Sequence, residues 1–158
     1  YLPEDGWLIP TFVQEFAVKD FYDKLPSSIH PIGAEFKMST QYIEDAKPIC
    51  GTADLLFYYE DPKGKNSGDA LGDWKTNAEL TKDYTRSKGI MMKPPFDSYY
   101  DDALCHYYLQ FNIYQRMMES IGLNVIARRL IHLKRDGTFE VHNVPHMDDF
   151  IVNQAILK

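Results

Sequence analysis

Three residues in this sequence have the types and spacing to do chemistry together: Asp54, Asp73 and Lys75. Asp54 is the only charge between Ile49 and Tyr59, in a run that is otherwise apolar and β-prone. A carboxylate there is costly to bury unless it is paired, protonated or bound to a metal. Asp73 and Lys75 are two apart, so on a strand they share a face while Trp74 points the other way. If the two strands are neighbours, Asp54 and Asp73 meet on one face, and two like charges so close call for a cation. Hard oxygen ligands suit magnesium or manganese rather than zinc, as one or two ions. The chemistry that uses such an ion is phosphodiester hydrolysis, in which it orients water, lowers its pKa and screens charge developing on the phosphate. Lys75 would then position or deprotonate the water, or stabilise the transition state. The structural alternative is a set of salt bridges from the aspartates to Lys37 or Lys75.

A second polar group lies on a helix. Projected at about 100° per residue, the arc of Tyr107, Phe111, Ile113, Met117, Met118 and Ile121 also carries His106, Gln110 and Tyr114, with Asn112, Arg116 and Glu119 outside it. Gln110 is expected to face the core, where a buried amide needs partners. The i, i+4 spacing of His106, Gln110 and Tyr114 makes a polar stripe able to meet the carboxylate face of a sheet. A satisfied core pair of Gln110 and Tyr114 is the alternative.

The elements that must position these groups can be read from periodicity and breakers. A helix is expected near 10 to 24, from Pro10 to the stop at Pro26. A strand with one polar face follows from Ala34 to Ser39, extendable to Ile43. Pro48 to Tyr59 and Leu71 to Thr76 read as a hairpin around a polar tip, Glu60 to Gly68. Thr76 to Tyr100 reads as a loop with a short helical piece, because Gly89 and Pro94-Pro95 forbid a continuous helix. A long helix spans Asp101 to Ile121, closed by Gly122. Strands at Asn124 to Lys134 and Thr138 to Val144 flank the turn Arg135-Asp136-Gly137, and a last helix starts near Asp148. The order is helix, three strands, long helix, strand, strand, helix: an α/β fold with a mixed central sheet flanked by helices.

Gly51-Thr-Ala-Asp54, Asp73-Trp-Lys75-Thr and Gln110-x-x-x-Tyr114 stand in that order on the expected elements. This pattern resembles the RecB-like and lambda-exonuclease-like branch of the PD-(D/E)XK nucleases, over roughly residues 34 to 134. The stretch from Asp73 to His132 looks most like nucleases encoded by tailed bacteriophages and large DNA viruses. The resemblance implies a restriction-endonuclease-like core of α-β-β-β-α-β order, and a nuclease of recombination, replication or repair, exonucleolytic or end-processing. It implies that Asp54, Asp73 and the Trp74 carbonyl ligate the metal, with Glu35 a further ligand, directly or through water. It makes Lys75 the catalytic lysine, oriented with the metal water or phosphate by Gln110 and Tyr114. Several relatives carry a His on the first helix; none stands here, and Glu15 is the residue available in its place. The cysteine cluster of iron-sulfur members is missing, so that cofactor is not expected.

The 158 residues suit a single domain, with 44% apolar and 25% charged residues in the globular range. The chain begins at Tyr1, so a domain excised from a longer protein with other domains or subunits is also open. A net charge of −6 argues against coating nucleic acid by phosphate neutralisation alone, but not against a nuclease. The expected partner is DNA, single- or double-stranded. Arg86, Lys88 and Lys93, with Lys82 and interleaved with Tyr84 and Phe96, form a candidate DNA-contacting flap or an ordinary solvated loop. His106 either touches substrate or hydrogen-bonds within the core. His30, His132, His142 and His146 show no ligand spacing, and Cys50 and Cys105 make no zinc or iron-sulfur motif. No apolar run reaches membrane length and no signal core is visible, so the expected location is the cytoplasm, that of the host if the gene is viral. Two rivals remain: an inactive nucleic-acid-binding module of the same fold, and an RNA-directed endonuclease.

Overall fold

The computed structural model describes residues 13–158. The proposed helix start at Pro10 lies outside the described residues. Nine elements follow: α1 (Val13–Asp23), β1 (Ile29–Ser39), β2 (Cys50–Tyr59), β3 (Gly68–Lys75), α2 (Asp83–Ser87), α3 (Ala103–Glu119), β4 (Val125–Leu133), β5 (Phe139–Asn143) and α4 (Asp149–Ile156). The five strands form one mixed sheet in sequential order. The β1–β2, β2–β3 and β4–β5 pairs are antiparallel and β3–β4 is parallel. A parallel pair needs a crossover of a dozen or so residues, and α3 supplies it. The architecture is the expected one, a mixed α/β sheet flanked by helices.

Two apolar clusters hold the layers together. On one face Phe111, Met117 and Met118 of α3 pack on Met38, Leu71 and Leu130. On the other, Ala17 and Phe21 of α1 pack on Leu55, Phe57 and Ile131. The central strand β3 is therefore buried on both faces for six residues from Gly68 to Asp73. A strand covered on both sides loses the alternation of a half-exposed one.

Several boundaries differ from the sequence expectation, each for a physical reason. β1 begins at Ile29, where Ile29 pairs with Tyr59, and ends at Ser39 short of Ile43. Pro31 disguised that start, but an edge strand tolerates proline, and the register shifts between Pro31 and Gly33. β2 starts at Cys50, because Thr40 and Ile49 close the preceding loop: the Ile49 N–H donates to Thr40 Oγ1 at 3.0 Å. β3 begins at Gly68 instead of Leu71, so Gly68 leaves the tip and Asp69 and Ala70 join the sheet with it. Asp69 accepts the Asn124 N–H at 3.0 Å, and a Cβ on Gly68 would lie 2.8 Å from the Asn124 carbonyl, which fixes where β4 enters.

α3 starts after Asp102, whose carboxylate caps it by accepting the Cys105 N–H at 3.0 Å. Its buried arc is wider than expected. Asn112, placed outside, is 2% exposed: it donates to Pro145 O at 3.0 Å and accepts the Met147 N–H at 2.9 Å, tying the segment before α4 to α3. Conversely Ile121, placed in the core, is exposed beyond the helix end, and His106 is exposed too. α4 forms as expected, capped by Asp148, which accepts the Phe150 N–H at 2.8 Å. Among the described residues no helix is long and apolar enough to cross a membrane.

Candidate active site

The β2–β3 ladder runs from Tyr59–Gly68 to Leu55–Gly72 and stops there. The next positions along the two strands are Asp54 and Asp73. Beyond the last pair, carboxylates take over the ladder's role: the Trp74 N–H donates to Asp54 Oδ2 at 2.9 Å, and the Asp54 N–H lies 3.4 Å from Asp73 Oδ1. The two strands part into a fork that holds two acids. Across the other edge of β2, Glu35 stands between the pairs Ala34–Leu55 and Phe36–Ala53, opposite Asp54. Glu35, Asp54 and Asp73 thus form one row across three adjacent strands.

The row interrupts the regular pleat. Strict alternation puts Asp54 with Leu56 and Tyr58, yet Leu56 joins Ala53 in the α3-side cluster while Leu55 and Phe57 join the α1 side. The period of two therefore breaks at Asp54. Opposite it, Glu35 has φ of 50°, the left-handed region that a residue with a Cβ rarely adopts. Strain of this kind persists where surrounding structure enforces it, and it clusters at functional sites.

Lys75 lies beside the row. It shares a face with Asp73, as the two-residue spacing predicts, and the two form the ion pair named above as the structural alternative, both side chains largely buried. Its Nζ also sits 4.5 Å from the centroid of the Tyr107 ring, which adds a cation–π contact. Tyr107 is fixed in turn, its hydroxyl donating to Asn77 Oδ1 at 2.8 Å. Trp74 points to the opposite face and packs edge-on against Phe21 of α1, ring centroids 5.1 Å apart. The Asp-Trp-Lys triplet is thereby clamped from both sides of the sheet.

The electrostatics are those of too many acids for one base. Burial raises the Asp73 carboxyl from its ordinary value to about 6, and the neighbouring Asp54 carboxylate adds to the rise, while Lys75 pulls the other way. Two aspartates against one lysine leave net negative charge in a largely dry place. Two carboxylates sharing one base in such a place are a donor set of the kind that suits a hard divalent cation.

The helix motif reaches the same end of β2. Gln110 Nε2 donates to Tyr114 Oη at 2.8 Å. The Tyr114 ring lies over Gly51: a Cβ there would sit 2.4 Å from Tyr114 Cε1. The first and third motifs are therefore in direct contact. Tyr107 belongs to the same helix stripe, at i, i+3 and i+7 with Gln110 and Tyr114; its place beside Lys75 was hidden among the core aromatics of the sequence.

No protein-family model and no curated protein matches this sequence. Among solved structures it is similar to a candidate exonuclease from Eubacterium rectale, with 17% identity and a TM-score of 0.47 over 98% of this chain and 52% of that one. This chain spans about half the length of that protein.

The flap residues are arranged less simply. Arg86 Nε donates to Asp102 Oδ2 at 2.8 Å, and its guanidinium stacks 5.1 Å from the centre of the Tyr100 ring. Arg86 therefore ties α2 to the cap of α3. Lys88 and Lys93 are exposed. His106 bonds to Asp101 at 2.7 Å on the surface and not within the core. One grouping was missed altogether: His132, Glu140 and His142 come together on the β4–β5 hairpin. Their separations of eight and two residues match no short ligand motif, but the hairpin register places His132 opposite Glu140.

Proposed function

We propose that this chain is a single-domain, metal-dependent nuclease that hydrolyses phosphodiester bonds in DNA, as an exonuclease or end-processing enzyme. The observation that carries the reading is the row Glu35, Asp54 and Asp73 at the β2–β3 fork with Lys75 held on Asp73. Asp54, Asp73 and the Trp74 carbonyl would hold magnesium or manganese, with Glu35 completing the set. Such an ion supplies a polarised water and charge neutralisation at the phosphate.

The chain's own groups do the rest. Hydrolysis adds a water oxygen to phosphorus, breaks the bond to one sugar oxygen and moves a proton from the water to the leaving group. Lys75 is a cation at the edge of the row, in reach of a water or a non-bridging oxygen brought to it, and the Tyr107 ring and Asp73 restrict where its ammonium can go. Gln110 and Tyr114 keep α3 seated on Gly51, and the half-buried Gln110 amide would bond to water or phosphate. Lys88 and Lys93 would contact the DNA backbone, with Arg86 and His106 beside them. The pattern resembled in the sequence favours DNA and a role in recombination, replication or repair.

The test is cleavage of end-labelled single- and double-stranded DNA, with RNA in parallel, in magnesium, manganese, calcium or EDTA. Metal-dependent shortening from the ends supports the reading. Cleavage of RNA alone transfers the site to a ribonuclease, and binding without cleavage makes it a recognition module.

A further inference from the structure

Three metal-ligating side chains converge on the β4–β5 hairpin. His132 on β4 and Glu140 and His142 on β5 each offer a ligand atom, and these atoms lie within 4.8 Å of one another. Ligands around a tetrahedral zinc at about 2.1 Å stand roughly 3.3 Å apart, so small side-chain adjustments close the set. The hairpin register is what assembles it: His132 pairs with Glu140 and Leu130 with His142, so all three side chains share one face.

The surroundings of each residue leave a donor atom free for a cation. His132 Nε2 lies 2.7 Å from the Asn77 carbonyl, which can only accept, so Nε2 donates there and Nδ1 is the nitrogen left to face a ligand. A main-chain carbonyl holding the far nitrogen of an imidazole is the usual way a metal-binding histidine is oriented. His142 Nε2 is shut off from solvent and has no hydrogen-bond partner. It lies 3.6 Å from Glu140 Oε2, too far for a hydrogen bond and at a distance an ion between them would bridge. The other oxygen of Glu140, Oε1, is taken by Lys134, which leaves Oε2 for a ligand.

We propose that His132, Glu140 and His142 bind one zinc-class transition ion, separate from the carboxylate row. Two imidazoles and a carboxylate favour such an ion over magnesium, just as the all-oxygen row favours the reverse. Three protein ligands leave a coordination position for water or an anionic oxygen. The centre sits beside the row: Lys75 pairs with His132 on the neighbouring strand, and Glu140 is one strand further, about 10 Å across the sheet from β3 to β5. The inference stands on these three residues and does not depend on the nuclease reading.

The experiment is titration of chelator-treated protein with zinc by calorimetry, and with cobalt(II) by visible absorption, in wild type, Glu140→Gln, His142→Ala and Asp73→Asn. Wild type is expected to bind one zinc per chain, with a cobalt spectrum of low coordination number. Glu140→Gln and His142→Ala are expected to weaken zinc by about 100-fold, and Asp73→Asn to leave it unchanged. Glu140 is half-exposed, so its variant folds even if the histidine variant does not. Absence of stoichiometric zinc binding in wild type, equal affinity in Glu140→Gln, or loss of zinc in Asp73→Asn would each overturn the proposal.

Discussion

The ring of Tyr114 fills the space that a side chain at Gly51 would need, 2.4 Å separating its Cε1 from the position of a Cβ there. A contact that short cannot be relieved without moving the ring, and the ring carries the hydroxyl that receives Gln110. Gly51→Ala should therefore destabilise the fold by about 1–3 kcal/mol through overpacking. Its melting temperature should fall by several degrees and its cleavage rate should fall with it. Tyr114→Phe keeps the packing and removes only the acceptor, so it should lose about 1 kcal/mol or less. Thermal melts of both variants decide this; an unchanged Gly51→Ala would mean that α3 is not seated as described.

The raised Asp73 carboxyl makes a pH prediction with a definite sign. Burial and the Asp54 carboxylate hold it at about 6, against an ordinary value of 3.8. Between those values the folded chain keeps a proton that the unfolded chain has released. The stability due to this group is then complete below about pH 4 and lost as pH rises to about 6, on the order of 2 kcal/mol for the metal-free protein. Other carboxylates, such as Asp61 and Asp136, are lowered by hydrogen bonds and act in the opposite sense at lower pH. The clean quantity is the stability of wild type minus that of Asp73→Asn, from urea unfolding in EDTA at pH 4 to 7. It should fall across that range, and magnesium at pH 7 should restore it; a flat difference would remove the buried-carboxylate account.

Arg86 and its neighbours separate two kinds of basic residue. Arg86 is committed to the buried Asp102, so Arg86→Ala should destabilise the α2–α3 connection by about 1–3 kcal/mol, the cost of leaving that carboxylate unpaired. Lys88→Ala and Lys93→Ala should leave the melting temperature unchanged. Each should reduce the salt dependence of DNA binding by about one unit of slope if it contacts a phosphate. DNA affinity measured against salt concentration checks both; unchanged slopes would return the two lysines to an ordinary surface.

Gln110 distinguishes chemistry from packing. It is half-buried and bonded to Tyr114, so Gln110→Ala removes one hydrogen bond, worth about 1 kcal/mol. A cleavage rate reduced well beyond what that loss of stability explains would place Gln110 at the substrate. A large drop in melting temperature with near-normal activity of the folded fraction would make it a core residue.

Much of this site was legible in the sequence because each motif sits on a local pattern. The two-residue spacing of Asp73 and Lys75 puts both on one face whatever the surroundings, and the lone charge in an apolar strand marked Asp54. What escaped depended on long-range context. Pro31 hid the first half of β1 because only pairing with Tyr59 shows that it lies at an edge. Gly68 read as the last turn former of the tip and Asp69 fell between the two apolar runs, yet the close approach of Asn124 draws both into the sheet. Asn112 read as outward-facing because helix periodicity assumes one buried side, and α3 has α4 and its preceding segment on another. The histidine cluster was implicit in the turn at Arg135-Asp136-Gly137, which centres the hairpin so that His132 faces Glu140, but spacing along the chain alone does not show it.

The central claim, that Asp73 is a metal ligand and Lys75 the catalytic base or charge stabiliser beside it, is tested by measuring magnesium affinity and DNA cleavage in Lys75→Ala and Asp73→Asn. Lys75→Ala should lower cleavage by about 100-fold or more while magnesium affinity is retained, and Asp73→Asn should lose both. Magnesium binding equal to wild type in Asp73→Asn, or cleavage undiminished in Lys75→Ala, would contradict the account.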